Sequence, residues 1–264
     1  MNRELKPALG EKFEELARIM ARLRSPEGCP WDNEQTHQSL RQYLLEETYE
    51  VLESIDSENW PALKDELGDL LLQIVYHAQI ASEEGHFAAE DVVQSITEKL
   101  IRRHPNVFGD VQINSAEEQS VNWERLKMQE GKSSVLEGVP KALSALLRAQ
   151  RIQQKASTVG FDWPNQEPVW EKVHEEIKEL RAACDENNQR DIEEEFGDLL
   201  FSLVNLSRFL RVNPEDALRK TTEKFIDRFK QVEQAFESAS RKMSEATLGE
   251  LDLVWEKVKN AEKR

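Results

Sequence analysis

The sequence predicts an all-α fold with two tandem helical-bundle domains that arose by internal duplication. Apolar residues recur at helical spacing along most of the chain, and no stretch shows the alternation of a half-buried strand. Acidic motifs beside apolar runs occur twice, and the separation of Glu47 from Glu176 equals that of Glu66 from Glu195. At 264 residues, each half is long enough to bury a core of its own.

Five helices are expected in the first half. The turn-forming sequence SPEGCPWD at 25–32 breaks the first, and Trp60-Pro61 starts the third, which Glu84-Gly85 ends. Pro105 prevents the fourth from continuing, because proline lacks the backbone N–H that a helix interior needs. The expected helices are 11–23, 36–55, 60–84, 89–103 and 115–130.

Five more helices are expected in the second half. The turn-rich sequence that begins GKSSVLEGVP predicts a linker at 131–141, between domains at 1–130 and 142–264. A second breaker, GFDWPNQEP, follows the first helix of this half, and Asn213-Pro214 opens a long helix. The expected helices are 142–158, 169–183, 190–210, 214–240 and 247–261.

The acidic motifs place several carboxylates on one helix face. Glu176 and Glu179 are three residues apart, as are Glu195 and Asp198, and residues at this spacing are neighbours on a helix. Two such helices packed antiparallel would direct these carboxylates, with that of Glu175, at one spot, where they stay ionised only beside a cation. The first half repeats the arrangement with Glu47, Glu50, Glu66 and Asp69.

The ligand type suggests the metal. Oxygen ligands alone suit a hard divalent cation, so the acids predict a Mg²⁺ site in which Mn²⁺ could substitute. A carboxylate-bridged di-iron bundle is an alternative, but it needs paired Glu-x-x-His motifs. The two that exist, Glu83/His86 and Glu171/His174, are not at equivalent places in the repeat. A helical interaction module with solvated acids is the other alternative, and it would show no stabilisation by Mg²⁺.

Basic and aromatic residues follow each acidic motif in the same order. Lys224 and Arg228 lie four residues apart on one helix face, and Lys259 follows Trp255 by four residues. Cations can hold phosphate oxygens, and an indole can stack on a base, so this set beside a metal site points to a nucleoside polyphosphate. The first half carries the counterparts Lys99, Arg103, Trp123 and Lys127.

Composition narrows the function classes. The formal net charge of −16 argues against a protein that coats nucleic acid or an anionic membrane through bulk charge. No apolar run reaches the roughly 18 residues of a membrane span, and the N-terminal sequence lacks the core of a signal peptide. Cys29 and Cys184 are far apart, and we expect free thiols in a cytoplasmic protein.

The pattern resembles the MazG-type nucleoside triphosphate pyrophosphohydrolases of the all-α NTP pyrophosphatase superfamily. The resemblance covers nearly the whole chain and includes EExxE followed by ExxD, GDLL in both halves, CPWD at 29–32 and RRHPNVF at 102–108. It implies Mg²⁺-dependent hydrolysis of NTPs or dNTPs between the α- and β-phosphates, giving nucleoside monophosphate and pyrophosphate. It also implies a homodimer, because the superfamily builds its bundles by pairing subunits.

The resemblance assigns roles to residues of the second half. It implies that Mg²⁺ is held by Glu176, Glu179, Glu195 and Asp198, with Glu175 beside them among the catalytic acids. Glu175 and Glu194 would shape the nucleotide side of the site, and Trp255 would contact the base or sugar. The implied phosphate contacts are Lys172, Lys224, Arg228 and Lys259. A water whose pKa is lowered by Mg²⁺ would attack in line, with a neighbouring carboxylate as base.

The first half keeps a possible second site, formed by Glu47, Glu50, Glu66, Asp69, Lys99, Arg103, Trp123 and Lys127. Two differences weaken it. Pro105 ends the basic helix shortly after Arg103, and Lys64-Asp65 stands where the second half has Glu193-Glu194. We therefore expect catalysis in the second half and a structural, regulatory or secondary role for the first.

Overall fold

The computed structural model describes residues 8–129 and 133–262, except for the side chains of residues 116, 117, 120, 124 and 127–129. Within these ranges the chain is helical and contains no strand, which confirms the all-α prediction. None of the described helices is long and apolar enough to cross a bilayer. The packing separates two compact units, Met1–Gln112 and Ile113–Arg264.

The first unit is built on a helical hairpin. Three residues, 57–59, join its two helices, and Asn59 caps the second by accepting a hydrogen bond from the Ala62 amide. The hairpin packs with the first helix around a core that includes Met20, Val75 and Ile80. The helices are α1 (Ala8–Leu23), α2 (Pro30–Glu34), α3 (Arg41–Asp56), α4 (Trp60–Glu83), α5 (Ala89–Arg103) and α6 (Pro105–Phe108).

A buried arginine fixes α1 against the start of α2 and the end of α4. The Arg24 guanidinium pairs with Glu83 at 2.7 Å and donates to the Asp32 carbonyl oxygen at 2.6 Å. The Tyr76 hydroxyl donates to the same carbonyl oxygen at 2.8 Å. These contacts anchor the C-terminal half of α4, the helix whose N-terminal half carries Glu66 and Asp69.

The second unit contains an equivalent hairpin. Its helices are α7 (Ala116–Gln129), α8 (Ala145–Ser157), α9 (Glu167–Asp185), α10 (Gln189–Phe209), α11 (Pro214–Ser238) and α12 (Leu248–Ala261). A short 3₁₀ helix, Met243–Glu245, precedes α12. Val169 and Val173 of α9 pack on Leu206 of α10. These core residues precede the acids on α9 and follow them on α10.

The duplication extends to the hairpin turns. Glu58 and Asn187 stand at equivalent places in the repeat, and both have positive φ angles, 52° and 53°. Each is followed by an asparagine that caps the next helix, Asn59 for α4 and Asn188 for α10. A left-handed residue and an Asn cap reverse the chain tightly. Equal turns therefore bring equivalent acids face to face in both units.

Several local expectations differ from the structure. The predicted break at 25–32 contains the start of α2, because Pro30 stands at a first helical position, where proline is favoured. Helix α3 begins at Arg41 rather than at 36. The packing boundary at 112/113 precedes the predicted linker at 131–141, of which residues 131 and 132 lie outside the described ranges. The domain bounds 1–130 and 142–264, which follow from that linker, stay a prediction.

Two helical glycines near the acids, Gly68 and Gly197, suggest from the sequence a close approach of neighbouring helices. That interpretation is wrong within this chain. A Cβ added at either position would meet no atom within 4 Å. The space beside both glycines is open, although glycine in a helix costs about 1 kcal/mol relative to alanine.

Candidate metal centre

The second unit gathers three predicted acids into one cluster. Helix α9 supplies Glu176 and Glu179, α10 supplies Glu195, and one carboxylate oxygen from each lies within 4.8 Å of the others. Glu176 is only 3% exposed. A buried carboxylate beside two others is costly unless positive charge compensates it. The geometry thus concentrates negative charge between the middle of α9 and the first turns of α10.

Asp198 and Glu194 lie beside this cluster on α10. Neither belongs to the group of three, but the charges of both act on Glu195. The pKa of Glu195 is raised, first by burial and then by the negative charges of Glu179 and Glu176, to which Asp198 and Glu194 add. Of the predicted ExxD pair, Glu195 therefore belongs to the cluster, and Asp198 is an exposed neighbour of it.

Lys172 already partners the most buried acid of this cluster. Its ammonium donates to Glu176 at 2.7 Å and to Glu175 at 3.0 Å. These two hydrogen bonds raise the pKa of Lys172. Lys172, a predicted phosphate contact, thus forms ion pairs both with Glu175, a predicted nucleotide-side acid, and with Glu176 of the cluster.

The first unit assembles a corresponding cluster from Glu47, Glu66 and Asp69, again within 4.8 Å. Two of its members are the counterparts of Glu176 and Glu195, but the third is the counterpart of Asp198 rather than of Glu179. The pKa of Glu47 is raised by burial and by the charges of Asp69 and Glu50, and a hydrogen bond with the Glu50 carboxyl raises it further. Burial, Glu50 and Asp69 also raise the pKa of Glu66. A cavity of about 260 Å³ adjoins these acids, with Glu53 and Asn59 in its lining.

Both clusters fit a hard divalent cation. They offer carboxylate oxygens alone, and Mg²⁺ takes oxygen ligands at about 2.1 Å, so small rotations would bring three oxygens within its reach. The di-iron alternative lacks its ligands, because neither carboxylate group includes a histidine among the described residues. Glu83 is paired with Arg24, and the His174 ring nitrogen lies 2.7 Å from the Trp170 carbonyl oxygen.

The other three basic residues predicted to hold phosphates, Lys224, Arg228 and Lys259, lie on α11 and α12. Arg228 pairs with Glu262 at 2.6 Å and lies over the Trp255 ring, which packs on Phe225 at 5.1 Å. The hydrogen bond to Arg228 lowers the pKa of Glu262, with a smaller contribution from Lys224. Lys259 pairs with Glu256 at 2.8 Å. These contacts lie within α11, α12 and residue 262, and none of them includes a cluster acid.

The counterparts in the first half are distributed differently. Lys99 is exposed on α5, and Arg103 is the last residue of that helix. Trp123 lies on α7, which groups with the second unit. The side chain of Lys127 lies outside the described part of the chain. The predicted first-half set therefore spans the packing boundary.

One cavity was missed by the sequence interpretation. It encloses about 470 Å³ between α8, α10 and residues 160–163, and Phe161, Trp163 and Phe201 line it. Arg208 and Asp162 pair at 2.7 Å in its wall. The sequence GFDWP predicts a helix breaker, and its two aromatic residues, Phe161 and Trp163, are the signal in the sequence that points to this cavity. None of the predicted site residues lines this cavity.

The sequence is similar to nucleotide pyrophosphohydrolases over nearly its whole length. The sequence pattern of the MazG nucleotide pyrophosphohydrolase domain matches residues 35–108 and again residues 165–233. The chain is 53% identical over 256 residues to the nucleoside triphosphate pyrophosphohydrolase/pyrophosphatase MazG of Thermotoga maritima, covering 96% of this chain and 98% of that protein. It is 45% identical over 258 residues to a nucleoside triphosphate pyrophosphohydrolase of Escherichia coli K12, covering 95% and 98%.

Proposed function

This chain belongs to the MazG nucleotide pyrophosphohydrolase family, and from that premise we propose that it is a Mg²⁺-dependent nucleoside triphosphate pyrophosphohydrolase. It hydrolyses NTPs or dNTPs between the α- and β-phosphates and releases monophosphate and pyrophosphate. The observation that carries the proposal is the Glu176, Glu179 and Glu195 cluster, which lies inside the second match to the family.

The acids of the second unit hold the metal and organise the site. Glu176, Glu179, Glu195 and Asp198 would hold Mg²⁺, with Mn²⁺ as a substitute. When bound, the ion supplies Lewis-acid polarisation of phosphoryl oxygens and lowers the pKa of water. A carboxylate of the cluster accepts the proton of the attacking water, and Glu175 and Glu194 border the nucleotide.

Four cations and one indole complete the site. Lys172, Lys224, Arg228 and Lys259 hold phosphate oxygens, and charge-assisted hydrogen bonds to them stabilise the leaving pyrophosphate. Trp255 contacts the base or sugar. Each of Lys172, Arg228 and Lys259 is paired with a glutamate, so substrate binding would exchange a carboxylate for a phosphate.

A homodimer is part of the proposal. Both units expose an apolar stripe at equivalent positions, Leu67, Leu71 and Ile74 on α4 and Phe196, Leu200 and Leu203 on α10, each between 38% and 53% exposed. The open space beside Gly68 and Gly197 adjoins these stripes. Exposed apolar patches of this kind are typical of protein interfaces.

Light scattering tests the homodimer and should give the mass of a dimer for the unchanged chain. The double variant Leu200→Glu/Leu203→Glu should dissociate it. The control variant Leu9→Glu, which changes an exposed leucine of α1, should stay dimeric.

A cytoplasmic location completes the proposal. Cys29 and Cys184 are both free thiols, which is the usual state of cysteine in a reducing compartment.

The product assay tests the function directly. The full chain is incubated with a mixture of NTPs and dNTPs, with Mg²⁺ or with EDTA, and the products are separated by chromatography. The proposal requires monophosphate and pyrophosphate in equal amounts, formed only with the metal. Orthophosphate as first product, or turnover unchanged in EDTA, would contradict it. An interaction module would give no product and no stabilisation by Mg²⁺.

A further inference from the structure

The ammonium of Lys172 supplies positive charge to the carboxylate cluster of the second unit. Its Nζ lies 2.7 Å from the carboxylate of Glu176, which is 3% exposed, and 3.0 Å from that of Glu175. The two residues are four apart on α9, a spacing at which side chains are neighbours on the helix surface. The most buried acid of the site is thus neutralised by a residue of its own helix.

The same ammonium opposes a divalent cation. Ion-pairing makes Glu176 a weaker ligand, and a second positive charge beside the ammonium is repelled by it. Lys172 is 39% exposed and has a flexible four-carbon arm, so it can leave the acid at small conformational cost. A triphosphate beside the cluster gives the displaced ammonium new oxygen partners.

We propose that Lys172 is an exchange residue that couples metal binding to nucleotide binding. It neutralises Glu176 in the ligand-free chain, leaves it when a divalent cation binds, and transfers to phosphate oxygens of the nucleotide. Metal alone then binds weakly, and metal and nucleotide each increase the binding affinity of the other by the same factor. The inference rests on the proposed function, because it concerns the metal and the nucleotide of the same site.

The first unit lacks this device. The position equivalent to Lys172 in the repeat is Tyr43, whose ring packs edge-on against Trp31 at 5.9 Å. Glu47 has acids around it, and its hydrogen-bonding partner is the Glu50 carboxyl. Within residues 8–112, no lysine is paired with Glu47, so the first cluster would bind a cation without the coupling that Lys172 provides.

Direct binding measurements test the exchange. The full chain carries Glu47→Gln and Glu66→Gln so that the first cluster does not contribute. Mn²⁺ binding without nucleotide is followed by electron paramagnetic resonance. Binding of an α,β-methylene nucleoside triphosphate, which cannot be cleaved at the scissile position, is followed by calorimetry at saturating Mn²⁺. Lys172→Met, Lys172→Arg and Lys178→Met are compared, because Lys178 is an exposed lysine on another face of α9.

Lys172→Met should bind Mn²⁺ alone about tenfold more tightly and the nucleotide analogue about tenfold more weakly, within the usual range of coupling between sites. Lys172→Arg should stay close to the parent in both measurements, and Lys178→Met should match it. Equal or weaker Mn²⁺ binding by Lys172→Met would overturn the exchange while the product assay left the function standing. If the parent bound no Mn²⁺ with or without the analogue, the metal-dependent function would fail as well.

Discussion

The two carboxylate clusters occupy equivalent places in the repeat but differ around their central glutamate. In the second unit Glu176 is buried and paired with Lys172 at 2.7 Å. In the first unit Glu47 is half-buried, Tyr43 stands at the position of the lysine, and the pKa of Glu47 is raised by burial and by neighbouring acids. Both units thus gather three acids that could hold a metal ion, whereas the lysine paired with the central glutamate is found only in the second unit among the described residues.

The helices that carry Arg103 and Arg228, α5 and α11, also differ between the two halves. Arg103 is the last residue of α5, and Pro105 begins a separate short helix. Arg228 lies in the middle of α11, which continues to Ser238 and holds Phe225 against Trp255. A cation inside a continuous helix has a fixed backbone and neighbours on both sides. The predicted phosphate contact of the second unit therefore lies within a continuous helix, whereas that of the first unit lies at a helix end.

The largest expected difference is in turnover. Glu195→Gln should reduce kcat by at least about 100-fold, because even the residues that support metal ligands contribute 10- to 100-fold. Glu66→Gln, its equivalent, should leave kcat within about twofold of the unchanged chain. Steady-state pyrophosphate release measures both. Similar losses in the two variants would mean that both units turn over substrate.

A smaller difference is expected in substrate affinity. Arg228→Met should raise KM about tenfold, the loss expected for one charge-assisted contact to phosphate, and Arg103→Met should not change it. Glu262→Gln is the matched control, because it removes the partner of Arg228 and keeps the guanidinium. A KM that rises in Glu262→Gln as much as in Arg228→Met would show that the pair acts by holding α11 and residue 262 together.

Stability of the metal-free protein should change in opposite directions in the two units. Glu47→Gln relieves repulsion among acids and should raise Tm by about 2 °C. Glu176→Gln removes the buried partner of Lys172 and should lower Tm by about 3 °C. Calorimetry in EDTA measures both shifts. Two shifts of the same sign would remove the distinction between the clusters.

The smallest effect is a pH dependence of stability. Glu47 and Glu66 have pKa values raised above the ordinary 4.5, so the folded state holds their protons more tightly than the unfolded state. Their stabilising contribution is present below pH 4.5 and is lost as the pH rises through the raised pKa values. Denaturant unfolding in EDTA should show a free energy of unfolding that falls across this window, less steeply in Glu47→Gln. Saturating Mg²⁺ should flatten the dependence, and an unchanged slope with Mg²⁺ would contradict metal binding at the clusters.

Much of this arrangement was predictable from the sequence. Helical spacing of apolar residues located the long helices, and the three-residue spacing of acids predicted which carboxylates share a face. The constant offset between the acidic motifs of the two halves predicted two clusters, and both are present. These features depend on local periodicity and on repetition, which a single sequence displays directly.

Other features depend on contacts that periodicity does not encode. The start of α2 was missed because Pro30 can end one helix or begin another, and only the packing of Arg24 on Asp32 decides which. Lys172 and Glu176 are four residues apart on a helix, a spacing that many exposed ion pairs share. What distinguishes this pair is the burial of Glu176, which the spacing does not predict. The cavity at Phe161 and Trp163 requires α8 and α10 to meet a loop, which no local pattern specifies.

The most direct test of the central claim compares Glu47→Gln with Glu176→Gln. Each full-length variant receives Mg²⁺ and a mixture of NTPs and dNTPs, and monophosphate and pyrophosphate are measured by chromatography. Catalysis by the second unit predicts loss of product in Glu176→Gln and near-normal product in Glu47→Gln. Loss in Glu47→Gln alone would contradict the assignment and place catalysis in the first unit.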